Sequence, residues 1–231
     1  MTRAGGSRSG AGAAISWELR RWQRSRRVYL LAVPLVAGPV GSLVADLYLR
    51  VGSRGAATVL GLIIVAALAG LILLDLAALA LGEELEKGSL ANWSLLPIGR
   101  PALYLSRLVT GVGIPLVSFL GGAGLVVLAA DLVPAGTPSP ALSIGPLPAV
   151  LGLAAALFLL GTIAFIAPLW SGSASGALSV GVIGGFALVT LLAYLWLEHT
   201  LSWGVVAALV VAGTVAAGVG YRRFLRSEGA G

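Results

Sequence analysis

The chain of 231 residues carries a net charge of +6 and is 58% hydrophobic but only 10% charged. Soluble domains carry about a quarter charged residues, so lipid is the expected solvent for this chain. Cysteine is absent and His199 is the single histidine, which excludes disulfides, iron–sulfur clusters, cysteine nucleophiles and a His-rich metal site within one chain. The basic residues flank apolar runs, which favours a membrane protein over a nucleic-acid-binding protein.

The N-terminal region divides into a tail and an amphipathic segment. Residues 1–14 are small, polar and basic, and they predict a disordered cytoplasmic tail. Residues 15–27, ISWELRRWQRSRR, predict a helix lying in the membrane interface. Ile15, Leu19 and Trp22 form its narrow apolar stripe, and the arginines on the opposite side suit anionic lipid headgroups.

Six long apolar runs follow and predict six transmembrane helices within residues 28–220. They cover residues 28–49, 57–81, 103–130, 147–170, 177–197 and 203–220. Each is close to or above the about 20 residues that cross a bilayer as a helix. The runs are continuous and do not alternate with polar residues, which favours helices over a barrel. The predicted fold is therefore all-α and polytopic, with a cytoplasmic tail at 221–231.

The boundary between the fourth and fifth runs rests on SGSASG, residues 171–176. A stretch without Asp, Glu, Lys or Arg extends on both sides of it. The segment is interpreted as a turn between two spans. A re-entrant hairpin is the alternative, because small polar residues also line cavities within membranes.

The basic residues predict the orientation of the chain. With both termini in the cytoplasm, every lysine and arginine except Arg50 and Arg54 falls on the inner side. Such an asymmetry is the positive-inside pattern. An odd number of spans would separate the arginine-rich N-terminus from the YRRFLR tail, so six spans are favoured. The predicted location is the cell membrane.

A charged segment between the second and third spans, residues 82–102, becomes a cytoplasmic loop in this topology. Ser89 can cap a short helix there. Leu90, Trp93 and Pro97 then recur at intervals of three and four residues and form one apolar edge. This spacing alone fits either a plain interfacial connector or a helix that docks into the groove of a partner.

The residues of this loop match a motif of ABC-2 type transporter permeases. Those proteins follow the second span with an acidic patch, Gly-Ser/Thr-Leu, Leu-Leu-Pro and two basic residues at fixed distances. The residues that carry the resemblance here are Glu84, Glu86, Gly88, Ser89, Leu90, Leu95, Leu96, Pro97, Arg100 and Arg107. The helix before the first span is similar to the family's elbow helix, with Ile15, Trp17, Leu19 and Trp22 as its apolar residues.

The resemblance implies that the loop is a coupling helix seated in a separate ATPase subunit, with Trp93 as its anchor. Two permease chains, identical or different, would combine with two ATPase chains. The chain has no G-x-x-x-x-G-K-[ST] motif. It is therefore expected to bind no cofactor and to have no catalytic residue, while ATP and Mg²⁺ bind the partner.

The resemblance leaves the substrate open. The family exports drugs, lipids, polysaccharide precursors and haem-related cargo. The chain is also similar to the membrane permease of the haem exporter of cytochrome c maturation, through its length and Gly113-Ile114-Pro115-Leu116. The short EHTLS connection before the last span favours a small or lipidic substrate over a polysaccharide. A membrane scaffold without transport activity is the alternative of another class.

Asp75 is the acidic residue deepest within a predicted span. An acid in a membrane is costly and indicates function by default. Asp75 would face the translocation path, pair with Arg107 or Arg100, or pack against hydroxyl groups. Asp46 and His199 lie near span ends, where an interfacial position is expected for both. No set of residues suggests a metal site or intramembrane catalysis.

Overall fold

The computed structural model describes residues 7–24, 27–49, 54–86, 99–130, 146–176, 178–185 and 203–226. Regular structure within these ranges is helical, so the predicted all-α class is confirmed there. Numbered in chain order, the α-helices are α1 Ser7–Arg24, α2 Ala32–Leu49, α3 Arg54–Glu86, α4 Arg100–Leu108, α5 Ile114–Ala130, α6 Pro146–Ile166, α7 Pro168–Ser171, α8 Ala174–Gly185 and α9 Trp203–Arg226. A 3₁₀ turn, Arg27–Leu31, leads into α2, and a π-helical turn, Val109–Gly113, joins α4 to α5.

Five helical stretches are long and apolar enough to cross a membrane. They are Arg27–Val44, Ala57–Glu83, Arg100–Ala129, Leu147–Ser171 and Trp203–Arg226. They correspond to five of the six predicted spans and are consistent with a multi-pass membrane protein. Of the predicted fifth span, 177–197, the structure describes only the part in α8, and the remainder lies outside the described residues.

Three predicted segment boundaries differ from the structure. Helix α1 begins at Ser7, so residues 7–14 are helical instead of forming a disordered tail. Helix α9 continues to Arg226, and α3 continues to Glu86 within the predicted loop. Extending a formed helix by one residue adds a hydrogen bond, whereas nucleation is costly, so helices run past the end of their apolar sequence.

Helix α3 packs antiparallel to α2 and α5, which run parallel to each other. Gly38 of α2 lies against Val65 of α3 and Val126 of α5, while Gly122 of α5 lies against Pro34 of α2. The glycines allow the backbones to approach closely, as small residues do between membrane helices. The core of this packing is formed by buried residues such as Val65, Val126 and Phe119.

The chain reverses direction at SGSASG. Helix α7 ends at Ser171, and Gly172 adopts the left-handed conformation with φ 69°, which glycine reaches without a Cβ penalty. Helix α8 then returns along α6, because Gly181 lies against Ala164 and Gly185 against Leu160. The chain therefore turns at this segment, and α6 and α8 are antiparallel, which both the turn between spans and the re-entrant hairpin predict.

Helix α9 runs parallel to α6. Gly213 of α9 lies against Phe158 of α6, and Gly220 lies against Ile166 further along both helices. Tyr104 of α4 also contacts Gly220. The C-terminal ends of α6 and α9 are therefore at the same end of the bundle as the start of α4.

We call this end of the bundle the basic end. It comprises α1, the C-terminal part of α3, α4, the turn between α7 and α8, and the C-terminal part of α9. Its described basic residues are Arg20, Arg21, Arg24, Arg27, Arg100, Arg107, Arg222, Arg223 and Arg226. Arg54 begins α3 at the opposite end. The basic residues whose side chains are described are therefore grouped at one end of the bundle.

Candidate functional site at the basic end

The structure describes both ends of the predicted coupling segment but not its centre. Glu86 is the last residue of α3, and Arg100 is the exposed first residue of α4. Arg107 lies two turns further along α4. The remaining predicted residues, Gly88, Ser89, Leu90, Trp93, Leu95, Leu96 and Pro97, lie outside the described residues, as does the side chain of Glu84. The segment therefore leaves and re-enters the bundle at the basic end.

Arg107 is buried and joins three helices. Its Nε atom lies 2.9 Å from a carboxylate oxygen of Glu18 in α1, and the two side chains are only 4% and 3% exposed. A terminal nitrogen of Arg107 also donates a hydrogen bond of 3.0 Å to the backbone carbonyl of Ala80 in α3. A buried charge requires a counter-charge and hydrogen bonds to offset its desolvation. This geometry gives Arg107 both.

Glu83 holds a second ionic contact, between the end of α3 and the N-terminal elements. Its two carboxylate oxygens accept hydrogen bonds from Arg21 at 3.0 Å and from Arg27 at 2.8 Å. The three side chains are partly exposed, so solvent weakens each pair. One carboxylate nevertheless fixes α1 and the turn that follows it against α3.

Glu86 connects α3 to the SGSASG turn. A carboxylate oxygen of Glu86 accepts a 2.7 Å hydrogen bond from the backbone N–H of Ala174, at the start of α8. Carboxylates are favourable at helix N-termini, where backbone N–H groups lack intrahelical partners. Gly82, one turn earlier, lies directly against Ala174. The acidic motif residue Glu86 thus contacts α8.

The face that α1 buries differs from the predicted stripe. Ala14, Glu18 and Trp22, spaced four residues apart, form its buried face. Trp17 is 56% exposed and Leu19 is 38% exposed, so neither is buried within the chain beside Trp22, and the predicted stripe toward lipid stays a prediction. Ile15 is half-buried. The ion pair between Glu18 and Arg107 lies on this inward face, and apolar spacing does not reveal that pair.

Tyr104 connects α4 to α6 and α9. Its hydroxyl donates a 2.8 Å hydrogen bond to the backbone carbonyl of Ala217. Its ring centroid lies 5.3 Å from that of Phe165, 5.4 Å from that of Tyr221 and 5.5 Å from that of Phe224. Aromatic pairs at these separations add to the stabilisation from buried area. The start of α4 is thereby held to the last helix as well as to α1.

Asp75 is half-buried in α3, two turns before Glu83. No hydrogen bond or ion pair joins Asp75 to another described residue. The charges of Arg27 and Glu83 act on it. The predicted pairing with Arg107 or Arg100 is absent among the described contacts, and Arg107 pairs with Glu18 instead. Asp75 therefore stays a candidate for the translocation path. Asp46 and His199 have no described side chain.

Glu18 and Glu83 are the residues of this site that sequence reasoning missed. Glu18 stands between the stripe residues of α1, and its spacing on the buried face, four residues from Ala14 and Trp22, was the available signal. Glu83 belongs to the acidic patch but not to the matched motif. Within the described residues, no group of three or more His, Asp or Glu side chains is placed to hold a metal ion.

Comparisons with known proteins returned no match: no family model matches this chain, and neither a curated protein nor a solved structure matches it significantly.

Proposed function

We propose that this chain is the transmembrane permease subunit of an ATP-driven ABC-2 type transporter, an exporter of a small or lipidic substrate. ATP hydrolysis is assigned to a separate subunit that docks on the loop 83–108, whose central segment, residues 87–98, lies outside the described residues. The proposal rests on the contacts of the residues on either side of this segment. Glu83 before it and Arg107 after it both contact α1, and Glu86 contacts the start of α8.

These contacts supply a physical route for coupling. A force on residues 87–98 acts on the end of α3 and the start of α4, which enclose the segment. Arg107 passes the displacement to α1 through Glu18, and Glu86 passes it to α8 through Ala174. Coupling between sites requires packed elements that move together between discrete arrangements. The buried ion pair between Arg107 and Glu18 favours such concerted movement, because separating two buried charges is costly.

The parallel packing of α6 and α9 supports the six-span topology of this proposal. Helix α6 ends at the basic end, whereas α9 begins at the opposite end, since Gly213 lies level with Phe158 and Gly220 level with Ile166. The proposal therefore places one further crossing of the membrane between residues 172 and 202. That stretch exceeds the about 20 residues needed for one crossing. Six crossings place both termini on one side, which the positive-inside rule makes cytoplasmic.

The rest of the proposal concerns the substrate and the assembly. A second permease chain, identical or different, is proposed to complete the pathway in the cell membrane. Asp75 is assigned to the translocation path because a half-buried acid without a described partner is costly in lipid. The external connection before the last span is short, which supports a small or lipidic cargo.

Co-purification tests the docking segment. The chain is extracted gently from native membranes as wild type and as Trp93→Ala and Leu96→Asp variants, with Trp203→Ala at the opposite end as the matched control. The wild type and the control are expected to retain a P-loop ATPase that hydrolyses ATP, and both loop variants are expected to lose it. Aromatic anchors dominate interface energetics, so Trp93→Ala alone should weaken binding by about tenfold or more.

Two results would contradict the proposal. The first is the absence of any ATPase in the wild-type sample. The second is equal retention by all four proteins. Either result would leave the scaffold interpretation as the better account of the chain. A thermal melt of each variant distinguishes loss of docking from loss of folding.

A further inference from the structure

A cavity of about 490 Å³ lies at the basic end, beside α7 and the C-terminal part of α9. It is lined by Leu169, Trp170, Val219, Arg222, Arg223 and Arg226. Helices α7 and α9 each lie at the C-terminal end of a stretch long enough to cross a membrane. These stretches are Leu147–Ser171 and Trp203–Arg226. The cavity is therefore at the level where hydrocarbon meets headgroups.

The cavity presents three guanidinium groups. Arg223 is held in place: its Nε donates a 3.0 Å hydrogen bond to the carbonyl of Leu169, and its guanidinium carbon lies 4.9 Å from the ring centroid of Trp170. Arg222 and Arg226 are one turn apart on α9 and line the same cavity. No described carboxylate forms an ion pair with any of the three. Guanidinium groups arranged in this way suit phosphate oxygens.

The apolar wall of the cavity continues along α9 into the membrane-spanning region. Val219 lines the cavity, and Val215 and Val211 follow it at intervals of one turn. All three valines are exposed in the single chain, Val211 most of all at 61%. Trp170 is also exposed, as is common for tryptophan at the membrane interface. A positively charged pocket thus opens onto an apolar strip of the same helix.

We propose that this cavity binds the phosphate headgroup of an anionic phospholipid, whose acyl chains lie along the valine strip of α9. A free anion would use the arginines but not the strip. A purely apolar ligand would leave the three guanidinium groups without a counter-charge among the described residues. An anionic amphiphile satisfies both surfaces, and basic pockets at the ends of membrane helices bind such headgroups. This site is independent of the proposed ATPase docking.

Native mass spectrometry of the full chain in a non-ionic detergent tests the site. The protein is titrated with phosphatidylglycerol, which is anionic, and with phosphatidylcholine, which is zwitterionic. Phosphatidylglycerol is expected to bind at least about tenfold more tightly, which corresponds to about 1.4 kcal/mol. Inorganic phosphate at millimolar concentration should not displace it.

Substitutions at the cavity test where phosphatidylglycerol binds. Arg222→Gln with Arg226→Gln is expected to weaken phosphatidylglycerol binding by about tenfold or more, since two charge-assisted hydrogen bonds are lost. Arg50→Gln with Arg54→Gln removes the same charge near the start of α3, at the end of the bundle opposite the cavity, and should leave binding unchanged. Val219→Trp fills the cavity while keeping its charges, and it should also weaken binding.

Four results would overturn the proposal. They are equal binding of the two lipids, an equal loss in the control pair, unchanged binding in Val219→Trp, and displacement by inorganic phosphate. The last would identify a site for free anions. Retention of ATPase binding by the arginine variants would show that this site and the docking segment are separable.

Discussion

The Nε atom of Arg107 in α4 lies 2.9 Å from the carboxylate of Glu18 in α1, and both side chains are buried. The same guanidinium also binds the carbonyl of Ala80 in α3. The N-terminal helix and two helices that belong to candidate membrane spans therefore meet at one side chain. The contact explains why α1 turns a carboxylate inward while leaving Trp17 and Leu19 exposed.

Removing one partner of this pair is expected to destabilise the protein more than removing both. Glu18→Gln leaves Arg107 buried without this counter-charge and should lower the free energy of unfolding by about 3–5 kcal/mol. Replacing both side chains, with Glu18→Leu and Arg107→Met, should recover most of that loss. Tryptophan fluorescence during thermal and denaturant unfolding in detergent measures both. Arg24→Met, at an exposed position, is the control, and equal losses in the single and double variants would contradict the assignment.

The close contact between Gly82 and Ala174 predicts that residue 82 tolerates no side chain. A Cβ at residue 82 would lie 2.7 Å from the Cα of Ala174, so Gly82→Ala should cost about 1–3 kcal/mol of stability by displacing α8. Gly124→Ala is the matched control, because nothing lies within 4 Å of its added Cβ. That variant should be neutral or stabilise α5 by up to about 1 kcal/mol. Similar unfolding midpoints for the two variants would show that α8 does not pack there.

The hydroxyl of Tyr104 is expected to contribute to the attachment of α9. Tyr104→Phe removes the 2.8 Å hydrogen bond to Ala217 and leaves the ring contacts in place. The expected cost is about 1 kcal/mol. Tyr29→Phe, in which the exposed side chain forms no described contact of this kind, should change the unfolding midpoint little. A cost that is the same in both variants would indicate a general effect of losing a hydroxyl.

The six-span topology can be tested by cysteine labelling, because the chain has no native cysteine. Single variants Ser173→Cys, Thr200→Cys and Ser227→Cys are exposed to a membrane-impermeant maleimide in intact cells and in inverted vesicles. Six crossings predict that Ser173→Cys and Ser227→Cys react only in inverted vesicles and Thr200→Cys only in intact cells. Labelling of all three from the same side would exclude a crossing between residues 174 and 202.

Asp75 is expected to matter for transport and not for folding. Since no described residue pairs with it, Asp75→Asn should leave the unfolding midpoint unchanged or raise it slightly, as neutral groups cost less in a membrane. The substrate-stimulated ATPase activity of the purified complex should fall. Asp46→Asn, near the end of the first span, is the matched control and should retain activity. Full activity in Asp75→Asn would remove Asp75 from the translocation path.

The sequence by itself was sufficient to determine the class of the protein and much of its helix layout. Polar groups are costly in lipid, so a segment that crosses a bilayer as a helix needs about 20 mostly apolar residues. This requirement is met within each segment and can be recognised without knowing its neighbours. Five of the six predicted spans therefore have a matching helix, and SGSASG forms a turn because Gly172 allows a left-handed backbone. The grouping of arginines at one end follows from the same flanking pattern.

Only the tertiary structure decided which charged residues meet. Glu83 binds Arg21 across 62 positions of sequence, and Arg107 binds Glu18 in a different helix. Periodicity shows which residues of one helix share a face, but the partner of that face depends on the packing of several helices at once. The inward face of α1 and the contact of Glu86 with α8 were therefore set by long-range packing, whose energy no single segment contains.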